Sequence, residues 1–449
     1  MYRVYILDIT MQCLMVEKVT IKDLSKIATG VAVGTTIEWY DFSIASVISA
    51  TIFPYILFPS TMPKTIAIIF GILIGLVVGL FARPVGSFVW GHIGDRWGRK
   101  PAVIIDFVVT ALSAVALGLT PTYQQVGYLA PSLAVVFRFL TGLGIGGIWG
   151  GASAWLTETA YAVGSRWRAL WASWTQIGLP LGLIWAPGMM AILSTIYPGK
   201  SFLTFGWRVA YFVAAAAVVV AAFMWFFVTE STLFKYVRDR GMVAKAPSLE
   251  VFRYHWKEII ILFFAFIGNP ALGYLFIAYS PAYISGVGLP MSFAYETQSI
   301  ASLVGIFILI IFALLSDKYG RKPIFFWTYV ALIPYSFIYP LLIITRVYAY
   351  ALLAQIIFWG VLIIANMAMV PALFSEHFPT RFRYSGAGVT YNLTVATGGS
   401  VAALLATTLI GTEYVAKWWI LSIIIFIFVL VSTLVTFFLL SETKEKRLE

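Results

Sequence analysis

The chain has 449 residues, of which 61% are hydrophobic and 11% are charged, and its formal net charge is +11. Soluble proteins carry about 25% charged residues, so this composition excludes a soluble domain. Apolar windows of about 20 residues, long enough to cross a bilayer as a helix, recur along the whole chain. The sequence therefore predicts an all-α polytopic membrane protein.

The N-terminal stretch carries few signals. Cys13 is the only cysteine, which excludes an intramolecular disulfide. The apolar residues around it are interrupted by Asp8 and lack a small-residue cleavage site, so we do not expect a signal peptide. Met15 is an alternative start of the functional chain.

Hydropathy and helix-breaking residues predict twelve transmembrane helices. Their approximate limits are 27–52, 65–91, 101–119, 131–158, 168–194, 207–229, 257–284, 293–316, 323–342, 347–375, 384–410 and 416–440. The longest polar connection follows the sixth helix and separates two bundles of six helices. The predicted domains are an N-terminal segment (1–26), a first bundle (27–229), a central loop (230–256), a second bundle (257–440) and a tail (441–449).

The basic residues indicate the orientation. Most of the 30 Lys and Arg residues fall in alternate connections, together with the N-terminal segment, the central loop and the tail. The positive-inside rule places these segments, and therefore both termini, in the cytoplasm. Because topology explains the net positive charge, no nucleic-acid partner is expected.

Two sequence echoes indicate an internal repeat. The stretch "GDRWGRKP" (Gly94–Pro101) returns as "SDKYGRKP" (Ser316–Pro323). The stretch "LTETAYAVGSRWR" (Leu156–Arg168) is echoed by "FSEHFPTRFR" (Phe374–Arg383), and in both a Glu closes one helix and arginines open the next. Two echoes in the same order predict a duplicated six-helix unit.

These loops carry a recognisable pattern. The "D-R-x-G-R-K" loop and its repeat resemble the signature of the major facilitator superfamily over the whole chain. Five stretches further resemble its metabolite–proton symporter family, which includes proline/betaine, α-ketoglutarate, citrate and shikimate transporters. They are "EWYDF" from Glu38, "ARPVGSFVWGHIGDRWGRK" from Ala82, "RFLTGLGIGGIWGGA" from Arg138, "GWRVAYF" from Gly206 and "FPTRFRYSGAGVTYN" from Phe378. The chain departs from the family at Ile148, where the relatives' G-E-W-G-G motif has an acid.

The resemblance implies a secondary active transporter of the cell membrane. It would carry a small polar metabolite, with a carboxylate or zwitterion favoured, together with a proton by alternating access. A sugar or polyol transporter of the same fold, proton-coupled or facilitative, is the alternative. An enzyme is not expected, because few histidines and one cysteine offer no catalytic or metal constellation. We expect a monomer in the bilayer, with no metal and no cofactor.

Five charged residues lie within predicted helices. Each charge near the membrane centre costs roughly 2.5–3.5 kcal/mol on insertion scales, so it should face a cavity and find a partner. Glu38 and Asp41 lie three residues apart and share one helix face. We expect both to lie near Arg83 and Arg138 and to take part in proton coupling, with Asp41 as the preferred proton carrier. Fixed structural pairs are the alternative. Asp106, near the predicted cytoplasmic end of its helix, is expected to be a structural partner.

The two intramembrane arginines have two interpretations each. Arg83 is suited to bind a substrate carboxylate with its planar fork, or is a permanent partner of Asp41. Arg138 resembles the family's proton-coupling arginine, or is an anchor at the membrane interface.

Polar side chains in the helices predict a substrate site between the halves at mid-membrane, although any one of them is more often a contact between helices. Besides Arg83, the predicted substrate-binding residues are Tyr40, Gln176, Asn269, Tyr274, Tyr279, Tyr391 and Asn392. A cytoplasmic gate is predicted from the repeated loops, which could alternatively do no more than hold orientation. Its predicted residues are Gly91, Asp95, Arg96, Arg99, Glu158, Asp317, Arg321, Glu376 and Arg381.

Overall fold

The structure, a computed structural model, describes residues 19–448, so Cys13 and the alternative start at Met15 lie outside the described residues. Within this range the chain forms helices and turns, with no β-strand. The long helices are α1 (Ile21–Thr51), α2 (Lys64–Arg96), α3 (Arg99–Gly118), α4 (Leu129–Ala162), α5 (Arg168–Ile196), α6 (Phe202–Phe227), α7 (Trp256–Phe266 and Gly268–Val287), α8 (Met291–Tyr319), α9 (Arg321–Ile344), α10 (Tyr348–His377), α11 (Thr380–Ile410) and α12 (Trp418–Phe438).

Ten of the described helices are long and apolar enough to cross a membrane, and the bent α7 is an eleventh if its two parts form one span. The two parts of α7 meet at 43°, next to Gly268 and Pro270. The remaining predicted span is α1, which has 31 residues. Glu38 and Asp41 lower its hydropathy, and both are buried inside the protein. The predicted helical membrane fold is therefore confirmed.

The predicted helix limits lie within one or two turns of those in the structure. The largest difference is at α1, which begins at Ile21 rather than at residue 27. Thr20 caps this end, because its side chain accepts the Asp23 amide while the Asp23 carboxylate accepts the Thr20 amide. A capping box of this kind satisfies two amides that would otherwise lack acceptors.

The helices pack in two halves related by the internal repeat. In the first half α1 packs on α5, and α4 packs on α2 and α3. In the second half α9 packs on α12, and α11 packs on the Gly268–Tyr274 part of α7. The two halves meet where α2 lies against α11 and where α5 lies against α8. Residues placed on these four helices therefore sit at the interface that any rocking motion must change.

Glycines let α4 approach its neighbours closely. A side chain at Gly142 would meet the backbone of Gly79, and one at Gly146 would meet the Arg83 carbonyl. A side chain at Gly150 would come within 2.6 Å of the Gly388 Cα, in the other half. Small residues at such positions let membrane helices pack with their backbones in close contact.

The segment between the halves is ordered by two short helices, Thr232–Asp239 and Pro247–Tyr254. It lies on the side of the protein that also carries the two repeated loops and the tail. We call this side, defined by residues 230–256, 96–99, 318–321 and 441–448, the basic side.

Candidate functional site

Two buried ion pairs occupy the interior of the first half. Asp41 Oδ2 lies 2.6 Å from Arg138 Nη1, and Glu38 Oε1 lies 3.3 Å from Arg83 Nη2. All four side chains are at most 3% exposed. The spacing of the two acids on α1 directs one to α2 and the other to α4, so each finds its own cation.

This pairing decides between the interpretations of the arginines. Arg83 is bonded to Glu38, so its predicted alternative as a permanent partner of Asp41 is wrong. Arg138 lies more than two turns inside α4 and is buried, so the interfacial anchor is also wrong. Arg138 Nε also donates to the Gly75 carbonyl at 2.6 Å, whereas Asp41 Oδ1 has no hydrogen-bond partner.

Arg83 connects the two halves. Its Nε donates to Asn392 Oδ1 on α11 at 3.0 Å. The Asn392 amide in turn donates to the carbonyl of Gly146 on α4 at 2.8 Å. The guanidinium lies 5.7 Å from the ring of Trp39. A cation held by one acid and one amide keeps further N–H groups for a ligand, since a guanidinium carries five donors.

A small aromatic cavity lies beside this cation, between the halves. Its volume is about 20 Å³, room for about one water molecule. Its lining includes Trp39, Phe266, Asn269, Tyr274, Trp359 and Tyr391. Ligand pockets for small molecules measure about 300–1,000 Å³, so the cavity as it stands is too small for such a molecule.

The predicted substrate-binding residues divide into two groups. Asn269, Tyr274 and Tyr391 line the cavity, whereas Gln176 and Tyr279 do not. Gln176 is fully buried near Tyr391, and neither of its polar side-chain atoms makes a hydrogen bond of normal geometry.

Tyr40, which was predicted to bind substrate, is not part of the lining of this cavity. Its hydroxyl donates to the backbone carbonyl of Ala210 on α6 at 3.0 Å, and its ring packs on Trp185. It therefore ties α1 to α6.

The rest of the aromatic lining was not predicted. Trp39, Phe266 and Trp359 carry no charge, and in an apolar helix they cannot be told from packing residues by sequence. The one usable signal is "EWYDF", which places Trp39 between the two buried acids. Asn366 was also missed, although its side chain accepts from the Asn269 amide at 3.0 Å and thereby holds the break in α7.

Asp106 does not serve as a structural partner, contrary to the prediction. It is fully buried on α3, and neither carboxyl oxygen has a hydrogen-bond partner. Its Oδ2 lies against Gly147 of α4, where a side chain could not fit. Burying an unpaired carboxyl group in this way is unfavourable unless the group is neutral.

On the basic side, Glu158 joins the end of α4 to both halves. It accepts from Arg99 Nη2 at 2.9 Å and from Arg383 Nη1, on the second half, at 2.8 Å. Asp95 contacts Arg99 at 3.2 Å and accepts the backbone amides of Tyr384 and Ser385, near the start of α11. An acid at a helix start is stabilised by free amides and by the helix dipole. We call this set the first network.

The second network repeats this arrangement with the halves exchanged. Glu376 lies 3.0 Å from Arg321 and 3.3 Å from Arg168, on the first half. Asp317 contacts Arg321 at 3.0 Å and accepts the amides of Ala169 and Leu170, at the start of α5. Each half thus presents one acid to a helix start of the other half.

Two further acids complete the networks. Glu230 accepts the backbone amides of Arg99 and Lys100, and Glu442 accepts those of Arg321 and Lys322. Burial raises the pKa of Glu230, although the amides and the Arg99 cation oppose the rise. Each acid binds the N-terminus of a helix, α3 or α9, and neither acid was among the predicted gate residues.

Some of the predicted gate residues contact the other half, and others are exposed. Gly91 lies against Ser385 of α11, where a side chain would come within 2.7 Å of its Cα. Arg96 and Arg381 are exposed and make no ion pair with a described carboxylate. Arg168 and Arg383 make the contacts between halves instead. Both arginines belong to the repeated pattern of a Glu followed by two arginines. The sequence did not show that the second arginine of each pair makes the contact.

Comparison with known proteins agrees with this architecture. Residues 42–403 match the family model described as Major Facilitator Superfamily. The chain is 31% identical over 406 residues to the inner membrane metabolite transport protein YhjE of Escherichia coli K12, covering 88% of this chain and 89% of that protein. It is 27% identical to the shikimate transporter of E. coli K12, with 87% and 89% covered. It is 26% identical to the proline/betaine transporter of the same strain, with 87% and 80% covered.

Solved structures share the fold. The proton:xylose symporter XylE bound to 6-bromo-6-deoxy-D-glucose superposes with a TM-score of 0.76 at 16% identity, covering 95% of this chain and 98% of that one. The inward-open XylE from E. coli gives 0.60 at the same identity, with 94% and 98% covered.

Proposed function

This chain belongs to the Major Facilitator Superfamily, and we propose that it carries a small polar organic metabolite together with a proton. The family and the apolar helices make it a multi-pass transporter of the cell membrane and not an enzyme. The observation that carries the proposal is the pair of buried acid–arginine contacts beside a cavity between the halves.

Asp41 is the proposed proton carrier. Its carboxylate is buried, bonded through one oxygen to Arg138, and has no partner on the other oxygen. A proton on this carboxylate would remove the charge that Arg138 binds, and would so weaken the contact between α1 and α4. His92, His255 and His377 lie near helix ends or in connections, so no imidazole is placed to replace it.

A zwitterion or carboxylate is the proposed substrate. Arg83 offers a fork suited to a carboxylate, and it lies against Trp39, which also lines the cavity. The rings of Tyr274 and Trp359 line the cavity, and aromatic rings attract an organic cation. An anionic group at Arg83 and a cationic group among the rings would suit one small zwitterion.

Alternating access is the proposed mechanism, with the first and second networks as the gate of the basic side. Both networks join the halves, and all of their contacts are made in this structure. We propose that the basic side, and with it both termini, faces the cytoplasm, because Lys and Arg are enriched there. Opening towards the cytoplasm then requires both networks to separate.

Transport in liposomes tests this function. Purified protein is reconstituted with a pH-sensitive dye inside, and dicarboxylates, betaines, shikimate and sugars are added outside. We expect one carboxylate or zwitterion to acidify the interior, and Asp41→Asn to abolish the signal. Asp239→Asn, an exposed acid in the central segment, is the matched control and should leave it unchanged.

Uptake without acidification that is unaffected by Asp41→Asn would remove proton coupling from the proposal. It would favour the second candidate, a sugar or polyol transporter. The amide of Asn269 and the ring of Trp359, both lining the cavity, are groups that suit a neutral hydroxylated ligand. Arg83→Gln separates the two, because it should abolish uptake of a carboxylate and spare that of a sugar.

A further inference from the structure

A second, much larger cavity opens on the basic side, away from the central site. Its volume is about 800 Å³, within the range of small-molecule pockets. Three segments form it: the turn between α4 and α5, the turn between α8 and α9, and the tail. Because these belong to both halves, the cavity has this shape only while the basic side is closed.

The walls of this cavity are strongly basic. Seven of its lining residues are Lys or Arg, against two acids, Asp317 and Glu445. Asp317 is already bonded to Arg321 and to two amides of α5. No described carboxylate forms an ion pair with any of four of the cations. These four are Arg166, Lys318, Lys444 and Arg447.

The local structure holds this charge in place. Gly164 ends α4 with a positive φ of 69°, and the amide of Ser165 returns to the Ala160 carbonyl. This turn sets Arg166 over the ring of Trp167, with 4.4 Å from the guanidinium carbon to the ring centre. On the opposite wall, Arg168 donates to backbone carbonyls of the tail and so fixes the segment that carries Arg447.

The corresponding place beside the first network is filled. There the helix Thr232–Asp239 follows Glu230 and buries Phe234, which lies 4.6 Å from the guanidinium carbon of Arg99. Beside the second network, the tail follows Glu442 without a helix and leaves the space open. The cavity is thus a difference between two otherwise matching sites.

From this we infer that the basic-side cavity binds a phosphate-bearing polyanion of up to nucleotide size. Arginine forks bind phosphate oxygens with two parallel hydrogen bonds, and lysines add point charges. The indole of Trp167 gives the rim an aromatic face for a base. A ligand of this kind contacts Arg166 of one half and Lys318 of the other, so it holds the basic side closed.

The consequence for transport rests on the proposed function, whereas binding itself does not. A ligand that binds only the closed state stabilises that state by mass action. If the basic side faces the cytoplasm, a rise in the ligand there slows uptake without touching the central site.

Binding is measured on the full chain in nanodiscs of neutral phosphatidylcholine, with magnesium-free ATP as the probe. We expect a saturable rise in melting temperature with ATP, beyond that from sodium chloride at equal ionic strength. Arg166→Gln and Arg447→Gln should each weaken ATP binding about tenfold, since each removes a charged hydrogen bond. Arg240→Gln, an exposed arginine outside the cavity, is the matched control and should bind ATP as the wild type does.

Two further arms identify the source of the phosphate. Orthophosphate should bind more weakly but respond to the same two variants. If the wild type in phosphatidylglycerol nanodiscs no longer binds ATP, a lipid headgroup occupies the cavity. If it binds ATP as tightly as in phosphatidylcholine nanodiscs, the ligand is a soluble molecule. The site would be overturned if the melting temperature showed no saturable rise with ATP. It would also be overturned if Arg240→Gln weakened ATP binding as much as Arg166→Gln does. Transport failing in liposomes while ATP binding persists would instead count against the proposed function alone.

Discussion

The two networks on the basic side follow one hydrogen-bonding plan but differ in what covers them. The matching pairs are Asp95 and Asp317, Arg99 and Arg321, Glu158 and Glu376, Glu230 and Glu442, and Arg383 and Arg168. Two ordered helices follow Glu230 along the chain, whereas the basic cavity lies beside Arg168. Duplication has kept the contacts and changed the surroundings.

The protein segments that cover an ion pair affect its strength, because water weakens the interaction between charges. An ion pair in a dry interior interacts more strongly and is less screened by salt than one that faces solvent. The pairs within each half are equally buried, so the difference falls on Arg168, which is 9% exposed and should contribute less than Arg383. The comparison is open to direct test by matched substitutions.

The largest effect is expected from Glu158→Gln. It leaves the buried Arg383 without its carboxylate, although Arg99 keeps Asp95, and an unpaired buried charge costs about 3–5 kcal/mol. Glu376→Gln should cost less, because the arginine that it leaves without a carboxylate, Arg168, borders the open cavity and also donates to carbonyls of the tail. Thermal unfolding of the purified protein measures both.

Glu296→Gln, an exposed acid on α8, is the control for this pair and should leave the melting temperature unchanged. Equal losses for Glu158→Gln and Glu376→Gln would mean that cover does not distinguish the networks.

The next effect concerns the two arginines that cross between halves. Arg383→Gln and Arg168→Gln each remove charged hydrogen bonds, worth about 1.5–3 kcal/mol per bond. We expect the contribution of Arg168 to shrink between 50 and 500 mM sodium chloride, and that of Arg383 to stay constant, since salt screens charges near solvent. Melting temperatures at both salt concentrations give the answer. A stronger salt response at Arg383 would reverse the comparison.

A smaller effect, with opposite signs in the two halves, is expected at one pair of positions on α3 and α9. Asp106 is separated from Thr328 by the same distance in sequence as the two loop motifs. Thr328 accepts from Asn366 at 2.9 Å, whereas Asp106 has no partner and faces a helix with Ile148 in place of the relatives' acid. We expect Asp106→Asn to raise stability by about 1 kcal/mol and Thr328→Ala to lower it by a similar amount.

Both changes are read from thermal unfolding. A loss of stability in Asp106→Asn comparable to that in Thr328→Ala would show that the Asp106 carboxyl has a partner after all.

The smallest effect is a pH dependence that belongs to Glu230. Because burial raises its pKa in the folded protein above the usual 4.5, the folded state holds the proton more tightly than the unfolded state. Its stabilising contribution is therefore complete below pH 4.5 and is lost as the pH rises through the raised value. Glu230→Gln should flatten the melting temperature over this range. A variant with the slope of the wild type would contradict the assignment.

Much of this architecture could be predicted from sequence because repetition exposes it. The echoed loops by themselves predict Asp95, Arg99, Asp317 and Arg321 as gate residues. A third echo places a Glu between Thr and Ser in both halves, as "TES" at residues 229–231 and "SET" at 441–443, and it indicates Glu230 and Glu442. The positions of helices followed from hydropathy, which reports a property of the chain itself.

The central site was harder to predict because its residues are chosen by packing. Nothing in the sequence separates Tyr40, which bonds the Ala210 carbonyl, from Tyr391, which lines the cavity. The pairing of Glu38 with Arg83 depends on the angle at which α1 crosses α2 and α4. Such angles are set by contacts between helices distant in sequence, and the spacing of polar residues does not record them.

The contact of Gly150 with Gly388 has a practical consequence for capturing other states of the molecule. Here two helices of opposite halves touch backbone to backbone, and a Cβ would lie 2.6 Å from the opposite Cα if added at Gly150 and 3.3 Å if added at Gly388. A bulky residue at either position would act as a wedge on the closed form while leaving the separated form unhindered. Substitution of Gly388 is thus a way for crystallographers and biosensor designers to hold the transporter in one conformation without a ligand, an antibody or a chemical crosslink.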